Sequence, residues 1–423
     1  MQFRAVKGMN DILPGEIERW QRLEQAFRRA VELHGYSEVR TPVVEAFELF
    51  ARASGETSEM VEKQMFSLEH SGDKLALRPE GTPGSARAYM TASLHAREPV
   101  TRWYYMGPMF RAERPQRGRY RQFHQAGCEL YGDAGPISDA EMIDMLVVLL
   151  AELGIAGVEV RLNSLGGAGT RARYRDALVA HLTPRAERLS EHAQKRLADN
   201  PLRILDSKDP RDREAVADAP SILDVLESDD RAHFERLRAA LDALGTPYVV
   251  DPTLVRGLDY YTRTLFEFSS SAGELGSQNA LLGGGRYDGM LKGLGGPDVP
   301  AIGFAVGLER MLLAMSQEQP ARPKACFVAP IGDAAALEGL RVARELRQAG
   351  LRVELDGRGG SLKSMLRRAD ALGAGCCVVI GEAELARGVV QLKDLAQHSQ
   401  TEVARASLRD AVERALASDE AAR

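Results

Sequence analysis

Cysteine is scarce in this chain. There are four in 423 residues, Cys128, Cys326, Cys376 and Cys377, none at zinc-like spacing and two of them adjacent in an apolar run. Neither a disulfide framework nor a zinc site is expected from such a set; reduced thiols packed in the core of a cytoplasmic protein are. Histidine occurs eight times, scattered without a ligand pattern. Long apolar runs are missing. No stretch approaches the length of a bilayer crossing, and the opening MQFRAVKGMNDILP has no signal core, so a membrane protein is not expected. An excess of one charge is missing too. At a net charge of −5 there is no global basic field, and any nucleic acid must be met by local patches whose grip weakens with salt. The length suits two or three domains with full cores.

What the chain does have is arginine, concentrated in one place. Residues 107–129 read GPMFRAERPQRGRYRQFHQAGCE, with Arg111, Arg114, Arg117, Arg119 and Arg121 supplying guanidinium groups shaped for bidentate phosphate contact. Pro115 and Gly118 punctuate a polar loop over residues 113–120. Its flanks, residues 103–111 and 121–131, read as two antiparallel strands. Alternation along the second strand puts Arg121, Phe123, Gln125, Gly127 and Glu129 on one face. A cation, a ring, an amide, a bare glycine and a carboxylate suit a small ligand with an anionic end, a flat ring and a polar head. The same residues also read as a solvated arginine-rich hairpin.

Around this hairpin the pattern is mixed. Ile17, Trp20, Leu23, Phe27 and Val31 predict an amphipathic helix over residues 14–33, and residues 36–45 a strand with Pro42 at an edge or a break. Residues 77–82, LRPEGT, form a turn before a helix over 83–96. Residues 139–153 read as a core helix and 158–162 as a strand. From 166 to 244 charged helical patterns broken by Pro184, Pro201, Pro210 and Pro220 predict a helical insertion with nothing catalytic in it. Strands return over 248–255 and 262–268. GGGRYDGM, residues 283–290, reads as a glycine turn, and AIGFAVGLERML, residues 301–312, as strand, turn and helix. QEQPARP, residues 317–323, is the best domain boundary. Beyond it, strands over 325–329, 351–355, 376–380 and 389–394 alternate with helices over 335–349 and 361–372, the pattern of a small α/β module.

FRAER followed by GRYRQFHQ resembles motif 2 of the class II aminoacyl-tRNA synthetases, in the form found in histidyl-tRNA synthetases. RTPVVE resembles motif 1 of that family, LRPEGT and RGLDYY (residues 256–261) its histidine-specific motifs, and AIGFAVGLERML its motif 3. The resemblance covers nearly the whole chain. It implies an α+β fold: a class II synthetase-like antiparallel catalytic core (residues 1–165 and 245–318), a helical insertion (166–244) and a small α/β anticodon-binding domain (324–423). It also implies that L-histidine and ATP form histidyl-adenylate and pyrophosphate, and that the adenylate then acylates tRNA(His).

The residues carry over one by one. Glu80, Gly81, Thr82 and Gln125 would read the α-amino group, and Glu129 and Tyr260, with Tyr261 beside them, the imidazole. Arg256 would reach the substrate carboxylate and the α-phosphate, and Arg111 the same phosphate from another side. Glu113, Phe123 and Arg310 would bind ATP, the last two sandwiching adenine. Arg114 and Gln116 would meet the acceptor end of tRNA(His). Mg2+ accompanies ATP with its ligands unassigned, and motif 1 implies a homodimer. Arg358, Lys363, Arg367 and Arg368 are either RNA-facing cations or ordinary solvated charges. A rival reading is the regulatory relative that partners ATP phosphoribosyltransferase, which lacks the tail domain and loses motif residues.

Overall fold

A computed structural model describes residues 3–55, 58, 60–272, 275, 279–316, 324–395 and 397–420. The chain divides into two compact units, Met1–Gln319 and Pro320–Arg423. The expected linker at 317–323 lies outside the described residues.

The first unit is built on an eight-stranded sheet. Its order is Ser37–Glu38, Thr101–Phe110, Gln122–Tyr131, Ala301–Gly307, Ala280–Arg286, Thr262–Ser270, Val158–Ser164 and Val249–Val250. The inner pairs are antiparallel, and each edge strand joins in parallel. Period-two alternation decides which face does what. Along Gln122–Tyr131, Ala126, Cys128 and Leu130 turn into a core built with three helices, Ile17–Leu33, Pro136–Glu152 and Ser228–Leu244. Trp20, Leu23, Phe27, Met142, Leu146, Phe234 and Leu237 supply the apolar faces of those helices. Each fully buried side chain of this size contributes roughly 1.5–3 kcal/mol. Gln125 and Glu129, one residue out of phase, are left for the other face.

Several expected elements come out differently. Residues 36–45 are not one strand. Ser37–Glu38 joins the large sheet, while Val44–Ala46 belongs to a separate three-stranded sheet with Asp73–Leu77 and Ser67–His70. Pro42 sits in the gap, where its missing N–H costs no ladder bond. The strand expected over 248–255 shrinks to Val249–Val250. Gly283, Gly284 and Gly285 are not a turn: they lie inside the Ala280–Arg286 strand. A Cβ at 283 would overlap the Arg256 guanidinium, and one at 284 would meet the Gly303 carbonyl and the Phe266 ring. Glycine there serves close approach, not chain reversal.

The insertion has its own small core of Tyr174, Leu178, Leu182, Leu189, Ile204 and Ile222, which continues into Leu254, Tyr261 and Leu265. Ser190 caps one of its helices by accepting from the Ala193 N–H at 3.1 Å.

The second unit has a five-stranded sheet in the order Val353–Leu355, Cys326–Pro330, Cys376–Ile380, Val389–Asp394, Ser399–Ala404. The first three strands are parallel and the last two antiparallel. Ser399–Ala404 and the short helix Glu382–Arg387 were not legible in sequence, since the strand is a polar, exposed edge without apolar alternation. All four cysteines are buried free thiols, and burial pushes Cys377 up to about 12. Arg368 is not a free RNA-facing cation: its Nε donates to the buried Asp356 carboxylate at 2.6 Å. Arg358, Lys363 and Arg367 are exposed.

Candidate active site

Three adjacent strands, Gln122–Tyr131, Ala301–Gly307 and Ala280–Arg286, line a cavity of about 410 Å³. Glu80, Thr82, Arg111, Glu113, Phe123, Gln125, Arg256, Tyr260, Tyr261 and Arg310 all reach it. Gly81 and Glu129 stand just behind its wall. Arg114 and Gln116 do not line it: they sit exposed on the loop, where Gln116 and Arg119 form a small bridge.

One part of the cavity is cationic. Arg111 follows directly on the Thr101–Phe110 strand. Its Nε donates to the Pro79 carbonyl at 2.9 Å, and its guanidinium lies 5.2 Å from the Phe123 ring centre. Arg256 crosses the bare Gly283 and pairs with Glu267 on the neighbouring strand. Arg310, from the first turn of the Leu308–Ala314 helix, donates to the Ala280 carbonyl at 2.9 Å. Burial, then Arg119 and Arg256, hold the Arg310 guanidinium below its usual range. Several guanidinium groups converging in a partly enclosed space raise the potential for an anion of high charge.

The other part is closed and polar. Glu129 is fully buried, and its Oε2 accepts from the Tyr287 hydroxyl. It lies opposite Gly303 in the ladder, and a Cβ at 303 would collide with its carboxylate. Burial, reinforced by Glu80, pushes Glu129 up to about 8, against the pull of Thr82, Tyr287 and Tyr105. Tyr105 packs across Gly127 and under Gly81, where any side chain would overlap its ring. Glu80 accepts from Ser54 and from Tyr260, each at 3.2 Å, and its carboxyl is raised by burial. Among the described residues, three buried polar atoms here make no hydrogen bond of good geometry, Glu129 Oε1, Gln125 Oε1 and the Tyr105 hydroxyl, although Thr82 and Tyr105 stand close enough to Glu129 to favour its charge. Unmatched buried polar groups are costly, and a cluster of them at a cavity is matched by a polar ligand.

Sequence reasoning missed several of these residues. Tyr287 stands in the quoted GGGRYDGM string but was given no role. Tyr105 shares a face with Trp103 on a strand that was identified, so alternation could have flagged it. Arg78 of LRPEGT is a buried rivet, its Nε donating to Pro108 and its Nη1 to Thr41, both carbonyls at 2.9 Å. Glu309 accepts from the His124 N–H at 2.9 Å and from its ring, tying the motif 3 helix to the motif 2 strand. Asp206 reaches the cavity from the insertion, where no sequence signal pointed to it.

Residues 8–311 match the family described as histidyl-tRNA synthetase, and the chain is 61% identical over 403 residues to a histidine–tRNA ligase of Sorangium cellulosum, covering 95% of this chain and 94% of that one. The chain belongs to the histidyl-tRNA synthetase family. Residues 325–415 match the anticodon binding domain. A histidine–tRNA ligase of Syntrophotalea carbinolica is 46% identical, with 96% of each chain covered. The apo histidyl-tRNA synthetase structure from S. aureus superposes with a TM-score of 0.82 at 33% identity, covering 97% of this chain and 99% of that one. The α+β architecture expected from the synthetase motifs is the one observed: a large, mainly antiparallel sheet followed by a separate small sheet-and-helix unit.

The family's use of ATP raises the question of magnesium. Among the described residues no group of three or more His, Cys, Asp or Glu side chains is placed to hold a metal. Magnesium commonly binds through one or two carboxylates plus substrate phosphates and keeps several waters. Glu113, Asp206 and Glu309 along the cavity fit that mode, in which the ion arrives on the nucleotide.

Proposed function

We propose that this chain is a histidine–tRNA ligase that activates L-histidine with ATP in the cavity described above and passes it to the 3′ end of tRNA(His). The observation that carries the reading is the shared lining of one cavity by Arg111 and Arg256, beside a cluster of unmatched buried acceptors. The histidine carboxylate attacks the α-phosphorus. A carboxylate–phosphorus bond forms, the bond to the bridging oxygen breaks, and pyrophosphate leaves. Arg111 and Arg256 hold the phosphate oxygens and neutralise the charge that develops on them. Alignment does the rest, since the nucleophile is already an anion. Phe123 and Arg310 bracket the adenine once Arg111 has swung from the Phe123 ring to the phosphate. A magnesium ion arriving with ATP would be met by cavity carboxylates such as Glu113 and Asp206 and would supply screening of the phosphate charge. In the second step the terminal adenosine hydroxyl attacks the acyl carbon, its proton passes to the phosphate of the departing AMP, and the acyl–phosphate bond breaks.

Glu129 and Tyr260 select the imidazole, and Glu80, Thr82 and Gln125, backed by Gly81 and Tyr261, receive the ammonium. The deciding experiment is ATP–pyrophosphate exchange with each of the twenty amino acids. Exchange with histidine alone is expected; exchange driven by another amino acid overturns the reading.

The raised carboxyl of Glu129 gives a pH prediction. In the empty site it keeps its proton to about pH 8. To accept the ring N–H of neutral histidine it must release that proton. The KM for histidine therefore falls as pH rises from about 6.5, where histidine loses its own proton, and levels off above 8. Glu129→Gln leaves only the slope from histidine's own proton near pH 6.5, flattens KM above it, and raises KM about tenfold or more. A parent KM independent of pH over that range contradicts the role. By the same linkage the native state holds the extra proton, so the empty protein loses stability as pH climbs from the ordinary carboxyl range through 8.

The exposed Arg114 and Gln116 meet the acceptor end of the tRNA. Arg114→Ala is expected to slow aminoacylation about tenfold and to leave exchange unchanged; equal losses in both reactions argue against it. The protein works as a homodimer through the motif 1 segment, where Val43 and Val44 stand exposed, and light scattering tests this. Unpaired thiols support a cytoplasmic setting, and among the described residues no helix is long and apolar enough to cross a membrane.

A further inference from the structure

The loop that carries Arg256, Tyr260 and Tyr261 is not stitched to the sheet. Among the described residues no backbone–backbone hydrogen bond ties residues 255–261 to the sheet or to the insertion; the segment makes only a local turn at Asp259 and Tyr260. The loop is held by side chains, and the main holds come from the insertion. Arg203 lies in the turn Pro201–Ile204, which is anchored by the buried Pro201 and Ile204. Its Nη1 donates to the Arg256 carbonyl at 2.7 Å. Its Nε and Nη2 donate to Asp259 Oδ1 at 3.1 and 2.7 Å, and Asn200 Nδ2 adds a third bond to the same oxygen at 3.1 Å. A weaker contact runs from Arg171 Nη1 to the Tyr261 carbonyl at 3.4 Å. Three residues beyond Arg203, Asp206 faces the cavity beside Arg256. One short stretch of the insertion thus grips the active-site loop from behind and looks into the cavity from the front.

We infer that Arg203 is a positioning residue for the activation step: its guanidinium fork, closed on the Arg256 carbonyl and on Asp259, fixes the loop that aims Arg256 at the phosphate. The insertion is then part of the activation apparatus, with or without tRNA. The fork matters because one planar group spans two acceptors at fixed angles, which a lysine ammonium does not. The consequence is large because electrostatic catalysis depends on placement, and an error of about 1 Å costs on the order of a hundredfold in rate. The inference rests on the synthetase reading above.

The test is histidine-dependent ATP–pyrophosphate exchange on the full chain without tRNA, with active sites counted by adenylate burst. Arg203→Met is expected to lower kcat per active site about a hundredfold, with the KM for ATP little changed, and Arg203→Lys to recover only part. Asp259→Asn, a smaller change at a half-exposed carboxylate, is expected to lower kcat in the same sense. The double variant Arg203→Met, Asp259→Asn is expected to be no worse than Arg203→Met alone, as for partners in one contact. If Arg203 merely stabilises the insertion, the counted sites and the melting temperature fall while kcat per site stays at the parent value, and the inference is overturned. Additive losses in the double variant overturn it too. A parent protein without histidine-dependent exchange defeats the proposed function instead, so the two failures are distinguishable.

Discussion

Arg256→Met is expected to lower histidine-dependent ATP–pyrophosphate exchange by two to three orders of magnitude, on the order of 10²–10³ as for loss of a fixed oxyanion partner. The native fold should be kept. Arg256 is partly exposed at the cavity, and its Glu267 partner stays partly solvated after the change, so no deeply buried charge is stranded. The loss should fall on the chemical step, because the guanidinium does most where charge develops on the phosphate. Arg111→Met should act in the same direction, and the pair should be less than additive because both serve one phosphate. The measurement is exchange rate against melting temperature for each variant. An Arg256→Met protein that keeps more than about a tenth of the parent rate removes the residue from the mechanism.

The second large effect is on stability. Arg286→Met is expected to destabilise the first unit by about 3–5 kcal/mol. Arg286 is fully buried. Its Nη2 meets Asp139 at 2.6 Å, its Nε the same carboxylate at 2.9 Å, and its Nη1 and Nη2 donate to the carbonyls of Asp133 and Gly135, each at 2.8 Å. Asp139 is equally buried and also bonds His233 at 2.9 Å. One ion pair therefore joins the Ala280–Arg286 strand, the Pro136–Glu152 helix and the Ser228–Leu244 helix. Removing the cation leaves the carboxylate buried with too few partners, which is where the cost arises. The double change Arg286→Met, Asp139→Leu should recover most of the loss, because no charge is then left behind. Chemical denaturation of both variants decides it: a double variant as unstable as the single one would mean that packing, not charge, sets the cost. The KM for histidine should also rise in Arg286→Met, because the next residue, Tyr287, holds Glu129.

The sequence was strongest where a local rule acts on one element. Period-two alternation set Phe123, Gln125 and Glu129 on one face of one strand, and the structure keeps all three at or just behind the cavity wall. Helical periodicity found the Ile17–Leu33 and Pro136–Glu152 helices to within a few residues. It was weakest where glycine does two jobs. GGG looked like a turn because glycine permits one, but here it clears space for the Arg256 side chain across a strand. The polar edge strand Ser399–Ala404 was missed because a ladder bonds through the backbone and needs no apolar pattern on an exposed edge.

The sequence by itself determined the main helices and inner strands, the motif inventory and the residue types available to the site. Only the tertiary structure decided that Arg111 and Arg256 open on the same space, that Glu129 is sealed in without solvent, and that Arg203 of the insertion bonds the loop carrying Arg256. The reason is one of range. Periodicity and turn chemistry act over a few residues, and the sequence records them directly. Burial, charge shifts and side-chain clamps depend on which distant segments pack together, and that is settled by the folded sheet and the helices that cover it.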